Sequence, residues 1–501
     1  MTHLQVLTLN TWGLWLVSKK RYNRILHLAE FLANDTDQKH KLDVVLLQEV
    51  WVDADARILA TAAEQGGLTH CMHFRSGVFG SGLLTLSRYP IVEAAFHQYH
   101  CAGDPFSINC GDYLAAKGVG WTRLLTPSGY LDVFNTHLHA NYSHKYSSTS
   151  RQNGGRTNAA AQFDIPAPAV DEFAAFRMAQ VFELARFVRH VSSGVGSRNL
   201  GVVLAGDLNS GPETLENAML RSLLPQLRDA WLETHGSHGE EAGHTCNAEC
   251  SSFKPRRQRP SRIDYVMTTL RVAGCELALQ KTPEGHSFSD HIAVQARLEP
   301  TSTIANTAAG TGAEAGGGAG AVELSDRKQS EQHQPQKKGK GEGEGREEEE
   351  AGRRIALLLA ARGVLQEGVQ QAGQASAGHV LFAIIMAVQA MLLCFFEPAM
   401  SFMGLTLNPI ARQLLPAAVL VLAAGAGVFL LTGMVADAGQ ARALQQALQQ
   451  LQVLIASATG GSTSSSGGGG GGGAGRGGTA AGVAAGDQGS QKSQHKVHRR
   501  R

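Results

Sequence analysis

The stretch Val202-Val-Leu-Ala-Gly-Asp-Leu-Asn-Ser210 is an apolar run of strand length that ends in a carboxylate and an amide. Two other short apolar runs end in the same way. The run Gln5–Asn10 finishes on an amide, and Val44–Leu47 is followed directly by Gln48-Glu49. Fully apolar runs of four to eight residues are typical of buried strands. The three stretches therefore predict buried strands whose polar ends are available for chemistry.

Around these stretches, residues 1–299 alternate short apolar runs with turns and longer helical patterns. Helical spacing covers residues 22–34 and the segment Asp171–His190, and further strands are predicted at 82–87, 120–125, 130–134, 264–267 and 292–298. Many strands with interspersed helices favour an α/β sandwich of two packed sheets covered by helices. A doubly wound sheet is the alternative, but several strands are joined by turns too short for the crossover that parallel strands need.

The C-terminal part of the chain has a different composition. Of the 58 glycines, 26 fall within residues 301–352 and 457–501. Gly-rich and charged composition predicts a disordered linker over 301–352, followed by an amphipathic lead-in over 353–377. Residues 378–396 and 414–436 contain no Asp, Glu, Lys or Arg and predict two transmembrane helices. Residues 437–501 are expected to be helical at first and then a Gly/Ser-rich tail. A buried hairpin of a soluble domain is the alternative.

Basic residues flank the predicted hairpin on both outer sides, whereas its short loop carries only Arg412. The positive-inside rule then predicts an integral membrane protein with two helices and with its large N-terminal domain in the cytosol. The membrane is expected to be an endomembrane, such as the endoplasmic reticulum or the Golgi, or the plasma membrane. Seven scattered cysteines, an odd number, indicate a reducing compartment. Cys246 and Cys250 lack a second ligand pair at zinc-finger spacing, which favours loop thiols.

Polar groups stand at five predicted strand ends. They are Asn10, Gln48-Glu49, Asn135–His139, Asp207–Ser210 and Ser289–His291. Each one alone is explained by turn formation or helix capping. Five sets of carboxylate, amide and imidazole groups meeting at one end of a sheet would instead suit a hard divalent cation with a histidine for proton transfer.

Six sequence blocks together resemble the DNase I-like endonuclease/exonuclease/phosphatase superfamily: LTLNTWG (7–13), LLQEVW (46–51), FNTHLHA (134–140), AGDLNSGPE (205–213), RIDYV (262–266) and FSDHIAV (288–294). The stretches NTWGLWLVSKKR, GDYLAAKG and RMAQVFELARFV are further similar to eukaryotic neutral sphingomyelinases with two C-terminal transmembrane helices. The resemblance implies a four-layer α/β/β/α sandwich with a C-terminal hairpin, and it covers about 300 residues of the catalytic domain.

The resemblance also implies roles for individual residues. Glu49 would be the main Mg²⁺ ligand, with Asn10 and Asp290 near the metal. His291 would be the general base that takes a proton from the attacking water, and Asp264 would orient its imidazole.

Three more roles follow from the same blocks. Asp207 and Asn209 would position phosphate and water, and His137 would stabilise charge on the leaving side. Asp112 and Lys117 resemble the family's loop switch, in which the carboxylate changes partner.

The function implied is Mg²⁺-dependent hydrolysis of sphingomyelin to ceramide and phosphocholine. Inositol phosphosphingolipid or lyso-phospholipid is the alternative substrate. A nuclease is disfavoured because residues 1–300 carry 28 Lys and Arg against 29 Asp and Glu, without the basic excess that DNA binding needs. A membrane-anchored pseudoenzyme scaffold is disfavoured because the key polar residues are present. The expected partner is thus a membrane lipid and not nucleic acid.

Overall fold

Two six-stranded sheets are built from the first 300 residues of the computed structural model. The structure describes residues 3–15, 17–34, 41–104, 111–141, 163–166, 173–193, 199–236, 243–253, 259–300 and 340–460. The strands, in chain order, are β1 (Leu4–Asn10), β2 (Val44–Gln48), β3 (His70–His73), β4 (Leu84–Ser87), β5 (Ile91–Gln98), β6 (Gly118–Thr126), β7 (Gly129–His137), β8 (Asn199–Asp207), β9 (Arg228–Asp229), β10 (Asp264–Thr268), β11 (Arg271–Ala278) and β12 (Ala293–Glu299).

The first sheet has the order β11-β12-β1-β2-β4-β3 and the second has the order β5-β6-β7-β8-β10-β9. Each sheet contains one parallel pair, β1 with β2 and β7 with β8, and its other pairs are antiparallel. Two separate mixed sheets exclude the doubly wound alternative and confirm the predicted sandwich.

Helices cover the outer face of each sheet. The helices of this part of the chain are α1 (Arg21–Ala33), α2 (Asp53–Gln65), α3 (Asp112–Ala115), α4 (Ala174–Ser193), α5 (Leu215–Leu223) and α6 (Ala230–His235). Apolar positions at helical spacing place one face of α1 in the core beside α2, over the first sheet. Helices α4 and α5 cover the second sheet. The layers therefore run α/β/β/α, as the sequence predicts.

The apolar core has three parts. Alternate residues of the two sheets face each other in the centre, among them Val6, Val44, Val133 and Val203. A second cluster lies between the first sheet and helices α1 and α2, and a third lies between the second sheet and α4. Because both faces of each sheet are covered, the central strands are rich in apolar residues, and several of their polar groups lie at the strand ends.

The C-terminal region consists of long helices: α7 (Lys340–Phe402), α8 (Pro409–Leu431), a π-helical segment (Thr432–Asp437) and α9 (Ala438–Gly460). Both predicted spans, 378–396 and 414–436, lie within these helices. The helical stretches Gly345–Phe402 and Pro409–Thr459 are long and apolar enough to cross a membrane, and their most apolar 18-residue windows are 11% and 0% buried. That exposure disfavours the buried soluble hairpin.

Two expectations for this region are wrong in part. Helix α7 already begins at Lys340, inside the predicted linker 301–352. Acidic residues 347–350 followed by Arg353 and Arg354 explain this start, because Glu–Arg pairs three and four residues apart stabilise a helix. The other linker residues, 301–339, lie outside the described residues, as does the tail beyond 460.

The lead-in 353–377 packs on protein. Ala361 and Leu365 of α7 and Leu444 of α9 are fully buried in the same cluster as α4. Gly368 permits this contact, since a Cβ there would lie 2.3 Å from that of Ala175 on α4. The segment is amphipathic, and its apolar face packs against α4 of the sandwich.

Candidate active site

The polar strand ends meet at one edge of the sandwich because of strand direction. The carboxyl ends of the parallel pairs β1–β2 and β7–β8 lie at this edge, and so do the amino ends of β10 and β12, which run antiparallel to β8 and β1. Asp207 is in register with His137 on one side and with Asp264 on the other. The edge therefore collects the predicted residues Asn10, Glu49, His137, Asp207, Asp264, Asp290 and His291.

Gly206 makes the junction of β7 and β8 possible. Its φ of 144° is in the region that glycine favours, and a Cβ at this position would lie 1.9 Å from the carbonyl oxygen of Thr136. Gly206 thus allows the close approach of β7 and β8 that sets Asp207 beside His137. The distance from His137 Nε2 to Asp207 Oδ2 is 3.5 Å.

Asn10 joins the two sheets. Its Nδ2 donates hydrogen bonds to Glu49 Oε1 and to Asp207 Oδ2, both at 2.9 Å, while its Oδ1 accepts from the backbone N–H of Trp12 at 3.0 Å. The Trp12 contact fixes which end of the amide faces the carboxylates. In this geometry Asn10 acts as a donor that holds two carboxylates in place.

His291 forms a buried pair with Asp264. The distance from Nδ1 to Asp264 Oδ2 is 2.8 Å, and the second ring nitrogen, Nε2, lies 4.0 Å from Asp207 Oδ2. Burial by itself lowers the pKa of His291, but the carboxylate of Asp264 and then the thiol of Cys246 outweigh it and leave the pKa well above its ordinary value. Asp264 thus orients the imidazole, and its negative charge favours the imidazolium that forms when His291 takes a proton.

The acidic groups at this edge are harder to ionise than usual. Burial, and then the charge of Asp264, raises the pKa of Asp207 to about 7. Burial and the charge of Asp290 raise the pKa of Glu49, and burial raises that of Asp290. A nearby cation would relieve this cost, because it favours the charged form of every carboxylate around it.

The donor set fits a hard divalent cation. Asp207, Asp264 and His291 each offer a ligand atom within 4.8 Å of the others. Glu49 adds an oxygen across Asn10, and the charge of Asp290, after burial, helps to raise the pKa of Glu49. Clustered carboxylate oxygens suit Mg²⁺. This edge is therefore a candidate metal-binding site.

Lys117 and His137 lie on the other side of Asp207. Lys117 Nζ is 2.5 Å from Asp112 Oδ1 and 3.1 Å from His137 Nε2, and it donates to the Leu138 carbonyl at 3.0 Å. Burial and then the neighbouring ammonium lower the pKa of His137 well below its ordinary value. The predicted switch residues are therefore paired with each other, and His137 is kept neutral beside them.

Asn209 and Asp290 occupy the turns next to the metal site. Asn209 has a φ of 47°; its backbone N–H donates to Asp207 Oδ1 at 2.8 Å and its Nδ2 to the Leu138 carbonyl at 3.0 Å. Asp290 accepts a hydrogen bond from Ser289 at 3.2 Å. The Asn209 side chain is thus held against the end of β7, and Asp290 is held by its own turn.

Sequence reasoning missed two residues that support this edge. Arg24 is buried in α1, and its guanidinium donates to the carbonyls of Thr11, Trp12 and Phe288, so it ties the loops after β1 and before β12 together. A basic residue on the apolar face of α1 was the available signal. The backbone of Cys246 pairs with that of His291 in an isolated antiparallel β-bridge. No sequence pattern distinguished it from a loop thiol.

Comparison with known proteins gives a family match. The model of the Endonuclease/Exonuclease/phosphatase family matches residues 7–291. Sphingomyelin phosphodiesterase 2 of Homo sapiens is 32% identical over 307 residues, covering 59% of this chain and 64% of that protein. The inositol phosphosphingolipids phospholipase C of Schizosaccharomyces pombe is 28% identical over 323 residues, covering 59% and 68%. The chain thus spans less than two thirds of the human relative.

Among solved structures, a variant of beta toxin from Staphylococcus aureus with bound magnesium ions has a TM-score of 0.43 and 19% identity. The match covers 59% of this chain and 99% of the beta toxin chain.

Proposed function

The chain belongs to the endonuclease/exonuclease/phosphatase family, and from that premise we propose that it is a Mg²⁺-dependent phosphodiesterase that hydrolyses sphingomyelin to ceramide and phosphocholine. The observation that carries the proposal is the His291–Asp264 pair at 2.8 Å, facing the carboxylates that Asn10 holds. A base and a metal site at one edge supply what phosphodiester hydrolysis needs. Relatives named for sphingomyelin and for inositol phosphosphingolipids point to a sphingolipid substrate.

His291 removes a proton from the attacking water at Nε2. Asp264 holds Nδ1 and stabilises the imidazolium that forms, and Asp207 lies 4.0 Å from Nε2 on the side where the water is held. Asn10 keeps Asp207 and Glu49 in position. Glu49, with Asp290 and Asp207 near it, would hold Mg²⁺, whose positive charge would neutralise the phosphate oxygens.

Lys117 and His137 serve the opposite side of the phosphate. Because His137 is neutral, its ring can donate one hydrogen bond to a phosphate or leaving-group oxygen, and the Lys117 ammonium 3.1 Å away adds positive charge. The leaving alkoxide of ceramide needs such stabilisation, since negative charge develops on its oxygen. Asp112, paired with Lys117, controls where that ammonium points.

The proposal is tested with the full chain in detergent micelles. Sphingomyelin, lyso-phosphatidylcholine, inositol phosphosphingolipid and plasmid DNA are incubated in parallel with Mg²⁺ or with EDTA, and phosphocholine, inositol phosphate or nicked DNA is measured. We expect phosphocholine release from sphingomyelin that requires Mg²⁺ and is lost in His291→Ala. Release of inositol phosphate alone would assign the alternative lipid, and DNA nicking without lipid cleavage would refute a lipid hydrolase.

The C-terminal helices support a membrane anchor with a cytosolic catalytic domain. Ile384 and Leu420 lie in the two spans and are 53% and 70% exposed, so lysine at these positions should leave the folded domain intact. Each lysine costs about 2.5–3.5 kcal/mol at the centre of a span. We expect the double variant Ile384→Lys/Leu420→Lys to lose retention in carbonate-washed membranes. The matched control Trp15→Lys, exposed on the catalytic domain, should be retained.

A further inference from the structure

A second cluster of metal-binding side chains lies away from the strand ends of the active site. His97 is near the end of edge strand β5, His100 follows in the next turn, and Glu183 is on α4. Their ligand atoms all lie within 4.8 Å of one another. No step of the mechanism above uses these residues.

Both imidazoles face the same carboxylate oxygen. His97 Nε2 lies 2.9 Å from Glu183 Oε2, and His100 Nδ1 lies 2.8 Å from the same atom. A tetrahedral metal with bonds of about 2.0–2.1 Å holds its ligand atoms about 3.4 Å apart. An opening of about half an ångström would admit the ion, and His100, whose side chain is 65% exposed, has room to make it.

The ligands are oriented by their surroundings. The ring of His97 stacks on Phe187, with centroids 5.5 Å apart and an angle of 19° between the planes. The backbone N–H of His100 donates to both oxygens of Glu183 at 3.2 Å. Contacts of this kind hold metal ligands in position in other proteins and raise metal affinity.

The cluster opens into a cleft of about 600 Å³. Arg186 and Arg189 of α4 and Gln446 and Gln450 of α9 also line this cleft. Two imidazoles and one carboxylate leave at least one coordination position for water or an anion, and the open cleft gives that position access to solvent. This donor set suits zinc and other first-row transition metals rather than Mg²⁺.

We propose that His97, His100 and Glu183 bind a Zn²⁺ ion that fastens strand β5 to helix α4 beside α9. The ion replaces the two imidazole–carboxylate hydrogen bonds with three metal–ligand bonds. The site is separate from the proposed Mg²⁺ site, so either can exist without the other.

The test is a zinc titration of the full chain in detergent, prepared without a polyhistidine tag, stripped of metal and kept in excess Mg²⁺ to fill the active site. Competition with a chromophoric chelator gives the stoichiometry and affinity. We expect one tight Zn²⁺ equivalent in the unmodified chain. In His97→Ala/His100→Ala the affinity should fall at least about tenfold, because removing ligands costs no less than disturbing the groups behind them.

His190→Ala is the matched control. It removes an exposed histidine that lines the same cleft but lies seven residues beyond Glu183 on α4, about 10 Å along the helix axis. It should keep the zinc affinity. Glu183→Gln, which preserves shape, should weaken binding while circular dichroism stays unchanged. Equal zinc binding by the double variant and by the control would refute the site, as would the absence of a micromolar zinc equivalent in the unmodified chain.

Discussion

Two histidine–carboxylate pairs in this molecule have almost the same geometry and different surroundings. His291 and Asp264 are 2.8 Å apart with side chains 9% and 0% exposed, and His97 and Glu183 are 2.9 Å apart with side chains 29% and 12% exposed. The first pair has the carboxylate of Asp207 beyond it and is almost fully buried. The second opens into a cleft. A short contact therefore does not define a catalytic site; burial and the neighbouring strand ends do.

The largest expected difference between the pairs is in catalysis. His291→Ala should lower the rate of phosphodiester hydrolysis by about 10²- to 10⁴-fold, because it removes the base while leaving the metal-binding carboxylates. His97→Ala is the matched change in the other pair. It should leave the rate within about twofold, because the general base His291 is still present. Initial rates of phosphocholine release from sphingomyelin micelles measure both. A comparable loss in the two variants would contradict the assignment of His291 as base.

The next expected effect is that of Asp264→Asn, which removes the charge of the side chain and keeps its shape. Because that carboxylate raises the pKa of His291, Asp264→Asn should lower the pKa and move the acidic limb of kcat/KM towards lower pH. The base becomes available at lower pH, but it is weaker and poorly oriented, so the maximal rate should fall by about 10²-fold. The pH profile from 5 to 9 is the measurement. An unmoved acidic limb would show that Asp264 does not act through His291.

A third effect concerns stability without metal. The pKa of Asp207 is raised to about 7 in the folded chain, whereas it is about 4 in the unfolded chain. Because the folded chain holds this proton more tightly, protonation of Asp207 stabilises the fold. The contribution is complete below about pH 4 and is lost as the pH rises through 7. In EDTA the free energy of unfolding should fall between pH 5 and pH 7.5 by an amount on the order of 2 kcal/mol, and the thermal midpoint should fall with it.

Added Mg²⁺ should raise the midpoint more at pH 7.5 than at pH 5, since it favours the ionised carboxylates. Asp207→Asn is the control that removes the contribution of Asp207 to the pH dependence. A midpoint that rises with pH in EDTA would contradict the burial argument. The cluster at Glu183 should not respond to Mg²⁺, because its imidazole donors suit softer metals.

The sequence alone predicts those regions in which short apolar runs mark the strands and polar residues mark the strand ends. The two-sheet sandwich follows from short apolar runs such as Val44–Leu47, and the active-site edge follows from the polar residues that end them. The sequence could not indicate that residues 353–377 cover α4, because an amphipathic face packs equally well on protein or lipid. It also could not bring His97 and Glu183 together, since they are 86 residues apart and share no strand-end pattern.

The smallest expected effect is the free energy of unfolding lost with the exposed pair in EDTA. Glu183→Gln removes the charge from a partly exposed contact, and such contacts contribute about 0.2–1 kcal/mol. Asp264→Ala leaves His291 without its buried partner, and that loss costs about 3–5 kcal/mol. Chemical denaturation of both variants in EDTA measures the contrast. Equal losses would mean that the cleft shields Glu183 as fully as the sandwich shields Asp264, and burial would then no longer distinguish the two pairs.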